Sequence, residues 1–311
     1  MTGSPPSLRV EAAGLAFQNP IILAAGTAGY GRELARVTAL DRLGGMVTKA
    51  VSVEPRGGAR PPRVAEFPGG MVNAIGLANP GLDAVRREHL PWLADHLRHA
   101  RVLVNVVGNS IEDFATVVHG LTDRPGVAAF ELNVSCPNVE SGGTEFGLDP
   151  IVLAQLVRRV RAVSTRPLFV KLAPTLPDIA ATARVAVSAG ADGITVINTI
   201  PGLVIDVARR RPAVGFGTGG VSGAAVRPVG VLATWRVAQA VTVPVMGVGG
   251  VATVDDVLQY LLAGATLVGV GTAALQDPRL PERLVRGLAR WCERSGVRGL
   301  GDVVGRLEWP S

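Results

Sequence analysis

Short apolar runs that alternate with helical patterns constrain the fold of this chain more than any other feature. The runs cover residues 21–25, 45–51, 102–106, 129–134, 168–172, 193–198, 243–248 and 267–271. Amphipathic helical patterns lie between or after them, for example at 151–163, 179–189, 229–240, 254–263 and 281–294. This alternation is typical of parallel strands joined by crossover helices. Eight such units within 311 residues predict an α/β fold, a (β/α)₈ TIM barrel, rather than an open doubly wound sheet.

Two segments outside this alternation are predicted to close the ends of the barrel. Residues 10–18 form an N-terminal hairpin at the bottom, and the Pro- and Gly-rich insertion 53–77 covers the top face. No linker or repeat tract interrupts the chain, so residues 1–311 are expected to form a single domain. The first nine residues hold no apolar signal region and no apolar run reaches membrane-spanning length, which predicts a cytoplasmic protein without a membrane span.

The charge of the chain admits two interpretations. The net charge is +6, with arginine clusters at 158–161 and 209–211, so a nucleic-acid surface is one of them. Almost all basic residues are arginines, however, which favours a compositional bias and solvated helix faces, with no nucleic-acid partner. The two cysteines, Cys136 and Cys292, lack metal-ligand spacing, so we predict no metal or iron–sulfur site in this chain and two reduced thiols. Cys292 is expected to serve packing.

Lysine is scarce, and its positions are therefore informative. Only two of the 31 basic residues are lysines, Lys49 and Lys171, and both lie inside apolar strand-like runs. A compact ammonium on a flexible stem fits where a planar guanidinium does not. We therefore predict that both lysines belong to a functional site.

Asparagines mark the predicted strand ends, where the reactive groups of a barrel project. The chain has eight asparagines, and Asn105, Asn133 and Asn198 fall at such ends, with Asn73 in the insertion that covers the top. Asparagine is a poor strand former, and any one of these could cap a loop. As a set they predict hydrogen bonds to a planar, amide-bearing ligand.

The octapeptide 131–138 (ELNVSCPN) places a thiol at a strand tip. An alternating strand, 129–134, runs into Cys136, and Pro137 must end it because proline cannot donate to a sheet ladder. A lone cysteine is commonly a small buried side chain, but a thiol under the loop 138–147 also suits proton transfer. The octapeptide alone leaves both readings open; the neighbouring lysines and asparagines favour a catalytic base.

Glycines follow the last two predicted strands. The segments 247–250 (GVGG) and 269–272 (GVGT) expose backbone N–H groups beside a helix start, which is the usual phosphate site of a barrel. The run 217–223 (GTGGVSG) adds a third glycine-rich wall. Tight turns alone are the alternative. Together with the lysines, amides and thiol, a phosphate site predicts flavin chemistry on a small planar substrate, with Lys171 near the flavin N1 and C2 carbonyl.

At this point the chain resembles a known family. The matching segments run in order through nearly the whole sequence, at 19–26 (beginning NPI), 63–66 (RVAE), 73–81 (NAIGL…NPG), 133–138 (NVSCPN), 171–174 (KLAP), 191–199 (ADG…INT), 218–223 (TGG…SG) and the two glycine ends. This combination resembles the class 1 dihydroorotate dehydrogenases, and most of all the FMN-containing catalytic subunit of the class 1B type.

The resemblance implies oxidation of (S)-dihydroorotate to orotate in pyrimidine biosynthesis, with Cys136 as the base for the C5 proton while hydride passes from C6 to FMN. It implies substrate contacts from Lys49, Asn73, Ala74, Ile75, Gly76, Leu77, Asn133, Asn198 and Thr199. It implies FMN contacts from Ala25, Lys49, Ala50, Asn105, Asn133, Lys171, Ile197, Gly223, Gly249, Gly250, Gly271 and Thr272. Many family members have serine where this chain has Ala25, so one hydroxyl contact to FMN is missing.

The resemblance also implies partners. Electrons would pass from FMN to NAD through a separate subunit that carries FAD and a 2Fe–2S cluster, around a homodimer of this chain in a heterotetramer. Four alternatives stay open: a fumarate-linked class 1A enzyme, a dihydropyrimidine dehydrogenase-like reductase, a tRNA-modifying flavin barrel and a non-catalytic phosphate-binding scaffold. Lys49 and the 73–77 segment favour a carboxylated substrate over dihydropyrimidines, and we find no segment suited to an added RNA-binding domain.

Overall fold

A closed barrel of eight parallel strands lies at the centre of the computed structural model, which describes residues 7–135, 137–138 and 144–309. Each strand pairs with the next along the chain, and the last pairs with the first. The strands are β1 (Ile21–Leu23), β2 (Gly45–Val47), β3 (Arg101–Val106), β4 (Val127–Asn133), β5 (Leu168–Leu172), β6 (Gly193–Val196), β7 (Val245–Val248) and β8 (Leu267–Val270). Every predicted run overlaps one of them, although β3 starts one residue and β4 two residues before the predicted run, so the predicted barrel is confirmed.

Helices surround the barrel on its outer face. They are α1 (Gly81–Ala84), α2 (Leu90–His96), α3 (Ile111–Leu121), α4 (Pro150–Arg161), α5 (Ile179–Ser188), α6 (Arg227–Ala238), α7 (Val254–Leu262), α8 (Thr272–Gln276) and α9 (Leu280–Ser295), with a π-helical turn at Val85–His89 between α1 and α2. Local signals set several starts: Ser110 and Thr253 form capping boxes at α3 and α7, and Asp149 caps α4. Cys292 lies on α9 with no exposed surface, inside the main core.

The predicted alternation of β4 is wrong. Ala129, Phe130, Glu131 and Leu132 are all buried, whichever way their side chains point. In a parallel barrel one face of each strand packs on the helices and the other fills the interior, so both faces leave water. The carboxylate of Glu131 therefore lies inside the barrel.

Antiparallel elements close both ends. At the bottom, Val10–Ala12 pairs with Leu15–Phe17 as predicted, and Arg101 at the start of β3 donates through Nε to the Ala16 carbonyl at 2.9 Å. At the top, four strands join in the order Ile200–Gly202, Gly219–Ser222, Gly70–Asn73 and Val64–Phe67. The insertion predicted to cover the barrel therefore does so by pairing with a second excursion, after β6.

The surface charges pair locally. Arg159 binds Glu112 across two helices at 2.7 Å, and Arg209 binds Asp206 three residues away at 3.1 Å. These contacts agree with arginine clusters on solvated faces. No helix in the described part of the chain combines the length and apolarity that crossing a membrane requires.

Candidate active site

A cavity of about 660 Å³ opens at the carboxyl ends of the barrel strands, below the four-stranded top sheet. Its walls come from all parts of the chain, because the ends of parallel strands meet at one face of a barrel. The structure brings together here the following residues predicted from sequence: Ala25, Lys49, Ala50, Asn73, Ile75, Leu77, Asn105, Asn133, Lys171, Ile197, Asn198, Thr199, Gly223, Gly249, Gly250, Gly271 and Thr272.

Two predicted residues, Ala74 and Gly76, are described by the structure but do not line the cavity. Ala74 packs with Val72 and Val214 in a small separate core, and Gly76 approaches the backbone of Ala59, where an added Cβ would lie 2.5 Å from the Ala59 nitrogen. Residues 73, 75 and 77 line the cavity while 74 and 76 do not; the strand ends at Asn73, and the chain turns at Gly76 and Leu77, which both have a positive φ. Cys136 lies outside the described residues; its neighbour Ser135 lines the cavity.

The floor of the cavity is a buried polar cluster. Asn105, only 1% exposed, donates through Nδ2 to Oε1 of Glu131 at 2.7 Å. The Lys171 ammonium lies 3.9 Å from the same carboxylate oxygen. Asn105 and Lys171 line the cavity, whereas Glu131 does not. A cation and an amide are thus presented to whatever occupies the cavity.

A second polar group lies at the ends of β4 and β6. Asn198 donates through Nδ2 to Oδ1 of Asn133 at 3.2 Å, and its own Oδ1 accepts from the Thr199 N–H at 2.9 Å. Asn73, from the top sheet, donates to the Gly220 carbonyl at 3.1 Å. These contacts fix the amide planes and leave further donors and acceptors for a ligand with amide edges.

Lys49 lies two residues beyond the end of β2 and lines the same cavity. Its backbone N–H donates to the Gly29 carbonyl at 2.8 Å, which anchors the residue. No carboxylate of the described residues forms a salt bridge with its ammonium. A half-buried cation of this kind suits an anionic group on a ligand.

The other end of the cavity is built from glycine backbone. Gly250 has a φ of +68°, and an added Cβ would lie 2.7 Å from Cβ of Arg227 and 2.8 Å from the Gly223 carbonyl oxygen. At Gly271 an added Cβ would meet the Thr27 hydroxyl at 3.8 Å and the Ala24 Cβ at 3.9 Å, both ordinary contact distances. A free approach to backbone N–H groups of this kind is what a phosphate requires.

Two buried tyrosines brace this backbone from behind. Tyr260 donates to the Gly249 carbonyl at 2.7 Å, and Tyr30 donates to the Ala50 carbonyl at 2.9 Å. Burial raises the pKa of both phenols far above their ordinary value, so both remain neutral donors. Thr272 donates to the Ser222 hydroxyl at 2.9 Å and thereby ties the end of β8 to the top sheet.

Several contributors were missed from the sequence. Thr27, Met71 and Ser135 line the cavity, and Glu131 supports its floor. Ser135 carries a buried hydroxyl with no hydrogen-bond partner within the described structure. The signal for Glu131 was present: a carboxylate in an apolar strand run is costly unless it is paired.

Comparisons with known proteins give the family. The model of the family described as dihydroorotate dehydrogenase matches residues 7–291. The chain is 43% identical over 302 residues (97% of the chain, 98% of the relative) to the dihydroorotate dehydrogenase B (NAD(+)) catalytic subunit of Geotalea uraniireducens. It is 46% identical over 299 residues (96% and 95%) to the protein of that name from Geobacillus kaustophilus.

A relative with a different name is equally similar. The putative dihydroorotate dehydrogenase A (fumarate) of Solibacter usitatus is 45% identical over 304 residues, which cover 98% of this chain and 99% of the relative. The names therefore agree on the reaction and differ on the electron acceptor. From the barrel, the cavity at its carboxyl face and these matches along almost its whole length, the chain belongs to the dihydroorotate dehydrogenase family.

Proposed function

We propose that this chain is the catalytic subunit of a dihydroorotate dehydrogenase that oxidises dihydroorotate to orotate in pyrimidine biosynthesis, with FMN as its cofactor. The observation that carries the proposal is one cavity that joins a glycine-lined end, a lysine–glutamate–asparagine floor and a second lysine beside a set of amides. These parts match a phosphate, a ring that gains negative charge and a carboxylated cyclic amide, respectively.

The residues present fit FMN. The cavity, at about 660 Å³, is within the range of cofactor sites. Gly223, Gly249, Gly250 and Gly271 line its glycine end, with the Thr272 hydroxyl beside them. Lys171 and Asn105 are the buried polar groups for the ring, and Ala25 leaves one hydroxyl fewer than the serine of many relatives. When bound, FMN supplies a two-electron acceptor for hydride.

The chain's own residues have distinct tasks in this reaction. The Lys49 ammonium binds the substrate carboxylate, and Asn73, Asn133, Asn198 and Thr199 hold the amide edges, with backbone from residues 74–77. Cys136 would take the proton from C5, and a bound FMN would supply the acceptor for the hydride that leaves C6, so that the C5–C6 double bond forms. The top sheet lies over the cavity and limits the access of water to the reacting carbons.

The electron acceptor distinguishes two candidate enzymes. The names of the Geotalea and Geobacillus relatives, which read NAD(+) and catalytic subunit, favour transfer to NAD through a partner subunit. We propose that this partner carries FAD and a 2Fe–2S cluster. The Solibacter relative favours fumarate instead. We propose the NAD-linked enzyme, as one domain spanning residues 1–311 in a cytoplasmic homodimer that binds the electron-transfer subunit. Efficient reduction of fumarate by the purified chain alone would establish the fumarate-linked enzyme.

Anaerobic mixing of the purified protein with dihydroorotate tests the main proposal. We expect a yellow protein whose released flavin is FMN and whose absorbance bleaches on addition of dihydroorotate, much faster than with dihydrouracil. A colourless protein that cannot be loaded with FMN would establish the scaffold alternative. Preferential bleaching by dihydrouracil would establish a dihydropyrimidine dehydrogenase-like reductase.

A further inference from the structure

Glu131 is a carboxylate buried in the interior of the barrel. It lies in β4 level with Asn105 of β3 and Phe169 of β5, two residues below the level of Asn133 and Lys171. Its side chain is 1% exposed and does not line the cavity. A purely structural strand residue at this level would be apolar, as Phe169 is.

The contacts of this carboxylate lead to the cavity floor. One oxygen accepts from Asn105 at 2.7 Å and lies 3.9 Å from the Lys171 ammonium. Within the described residues, that ammonium is the only cation that forms a salt bridge with Glu131. Burying a carboxylate costs several kcal/mol unless hydrogen bonds and an opposite charge offset it. Both residues that offset it here line the cavity.

We propose that Glu131 is a positioning residue for the cofactor site: it holds the Lys171 ammonium and the Asn105 amide in place and offsets part of the ammonium charge. The inference rests on the proposed FMN-dependent function. It assigns Glu131 an effect on the flavin that is exerted through Lys171, without contact with the substrate. A positive charge near the flavin stabilises its reduced, anionic form, so the carboxylate keeps the flavin potential lower than Lys171 alone would set it.

Three variants test this as a double-mutant cycle: Glu131→Gln, Lys171→Gln and the two combined. Glu131→Gln keeps an acceptor for Asn105 and removes only the charge. We expect the equilibrium constant for two-electron reduction of the bound flavin to rise by about tenfold, about 30 mV, measured against redox dyes. Lys171→Gln is expected to lower this equilibrium constant. In the Lys171→Gln background, Glu131→Gln should shift the equilibrium constant by much less than it does in the wild-type background.

Asp192→Asn provides the control for loss of stability alone. Asp192 begins the segment into β6 at the bottom of the barrel and binds Arg161 at 2.7 Å. Removing this charge should lower the melting temperature without moving the flavin potential. If Glu131→Gln leaves the potential unchanged, or shifts it equally with and without Lys171, the positioning role is refuted. An equal shift would mean that the carboxylate acts by its own field.

Loss of flavin from Glu131→Gln would also be informative. The cause we infer for such a loss is that the Lys171 ammonium stays buried without an opposite charge. The double variant should then bind FMN again. If it does not, the inferred pairing of Glu131 with Lys171 is refuted. The flavin potential is measured without substrate. A flavin-containing protein that dihydroorotate does not reduce would therefore contradict the proposed function, whereas an active enzyme with an unmoved potential would contradict only the role of Glu131.

Discussion

The Asn198 side chain donates to the Asn133 side chain at 3.2 Å, and this bond joins the ends of β6 and β4 across β5. The two residues are 65 positions apart in the chain. Their amides form one rigid edge of the cavity because each fixes the orientation of the other, while the Asn198 carbonyl is held by the Thr199 N–H. A substrate amide would meet groups that are already oriented.

Removing this edge should slow the reductive half-reaction. We expect Asn198→Ala to lower kcat/KM for dihydroorotate by about 10- to 100-fold, because it removes the proposed substrate contact and frees Asn133. Stopped-flow flavin bleaching measures the effect. Asn109→Ala is the matched control: Asn109 is exposed and accepts from Arg56 outside the cavity. Similar losses in both variants would contradict the placement of Asn198 in the site.

With Cys136 as the base, the rate of flavin reduction should depend on pH. An ordinary thiol titrates near pH ~8.5 and only the thiolate accepts a proton, so flavin reduction should accelerate between about pH 7 and 9. Cys136→Ala should lose this acceleration and most of the rate, whereas Cys292→Ala should keep both, since Cys292 lies in the core. A flat profile together with full activity of Cys136→Ala would exclude the thiol as base.

Two glycine substitutions separate cofactor binding from folding. Gly250→Ala forces a Cβ against Arg227 at a positive φ, so we expect a lower melting temperature and weaker FMN binding. Gly271→Ala adds a methyl group that makes only ordinary contacts, with the Thr27 hydroxyl at 3.8 Å and the Ala24 Cβ at 3.9 Å. It should lower the melting temperature less, yet raise the FMN dissociation constant by about tenfold or more. Unchanged FMN affinity in both variants would place the phosphate elsewhere.

Asp41 should contribute stability that is lost in acid. Burial alone would raise the pKa of Asp41, but hydrogen bonds from the Ala100 and His99 N–H groups and the His99 ring outweigh it and lower the pKa. A lowered folded pKa stabilises the fold above the ordinary carboxyl range and loses this contribution as the pH falls through the folded value. The Asp41 side chain is 32% exposed, so the contribution is about 1 kcal/mol.

Thermal unfolding of Asp41→Asn measures this contribution. The variant should melt below wild type at pH 7, and the difference should shrink below about pH 4. Asp95→Asn is the matched control, since Asp95 is exposed and forms no salt bridge within the described residues. A difference that stays constant from neutral to acidic pH would show that the carboxylate charge does not contribute.

Most of the fold was predictable because its signals are local. Apolar runs bury both faces of each strand, and the capping residue Thr253 starts α7 at Val254, where the pattern predicts a helix. The candidate site was largely predictable as well, because a barrel collects the ends of its strands at one face, and the scarce lysines, asparagines and glycines fall at those ends.

The sequence could not predict which way individual side chains point or which buried polar groups pair. Ala74 and Gly76 looked equivalent to Asn73 and Ile75 until the top sheet set which side chains face the cavity. Glu131 looked like one residue of an alternating strand until barrel closure placed it beside Asn105 and Lys171. The sequence by itself determined the barrel and the composition of its reactive face. Only the tertiary structure decided which groups pair beneath that face, because such contacts join residues far apart in the chain whose separation is set by barrel closure.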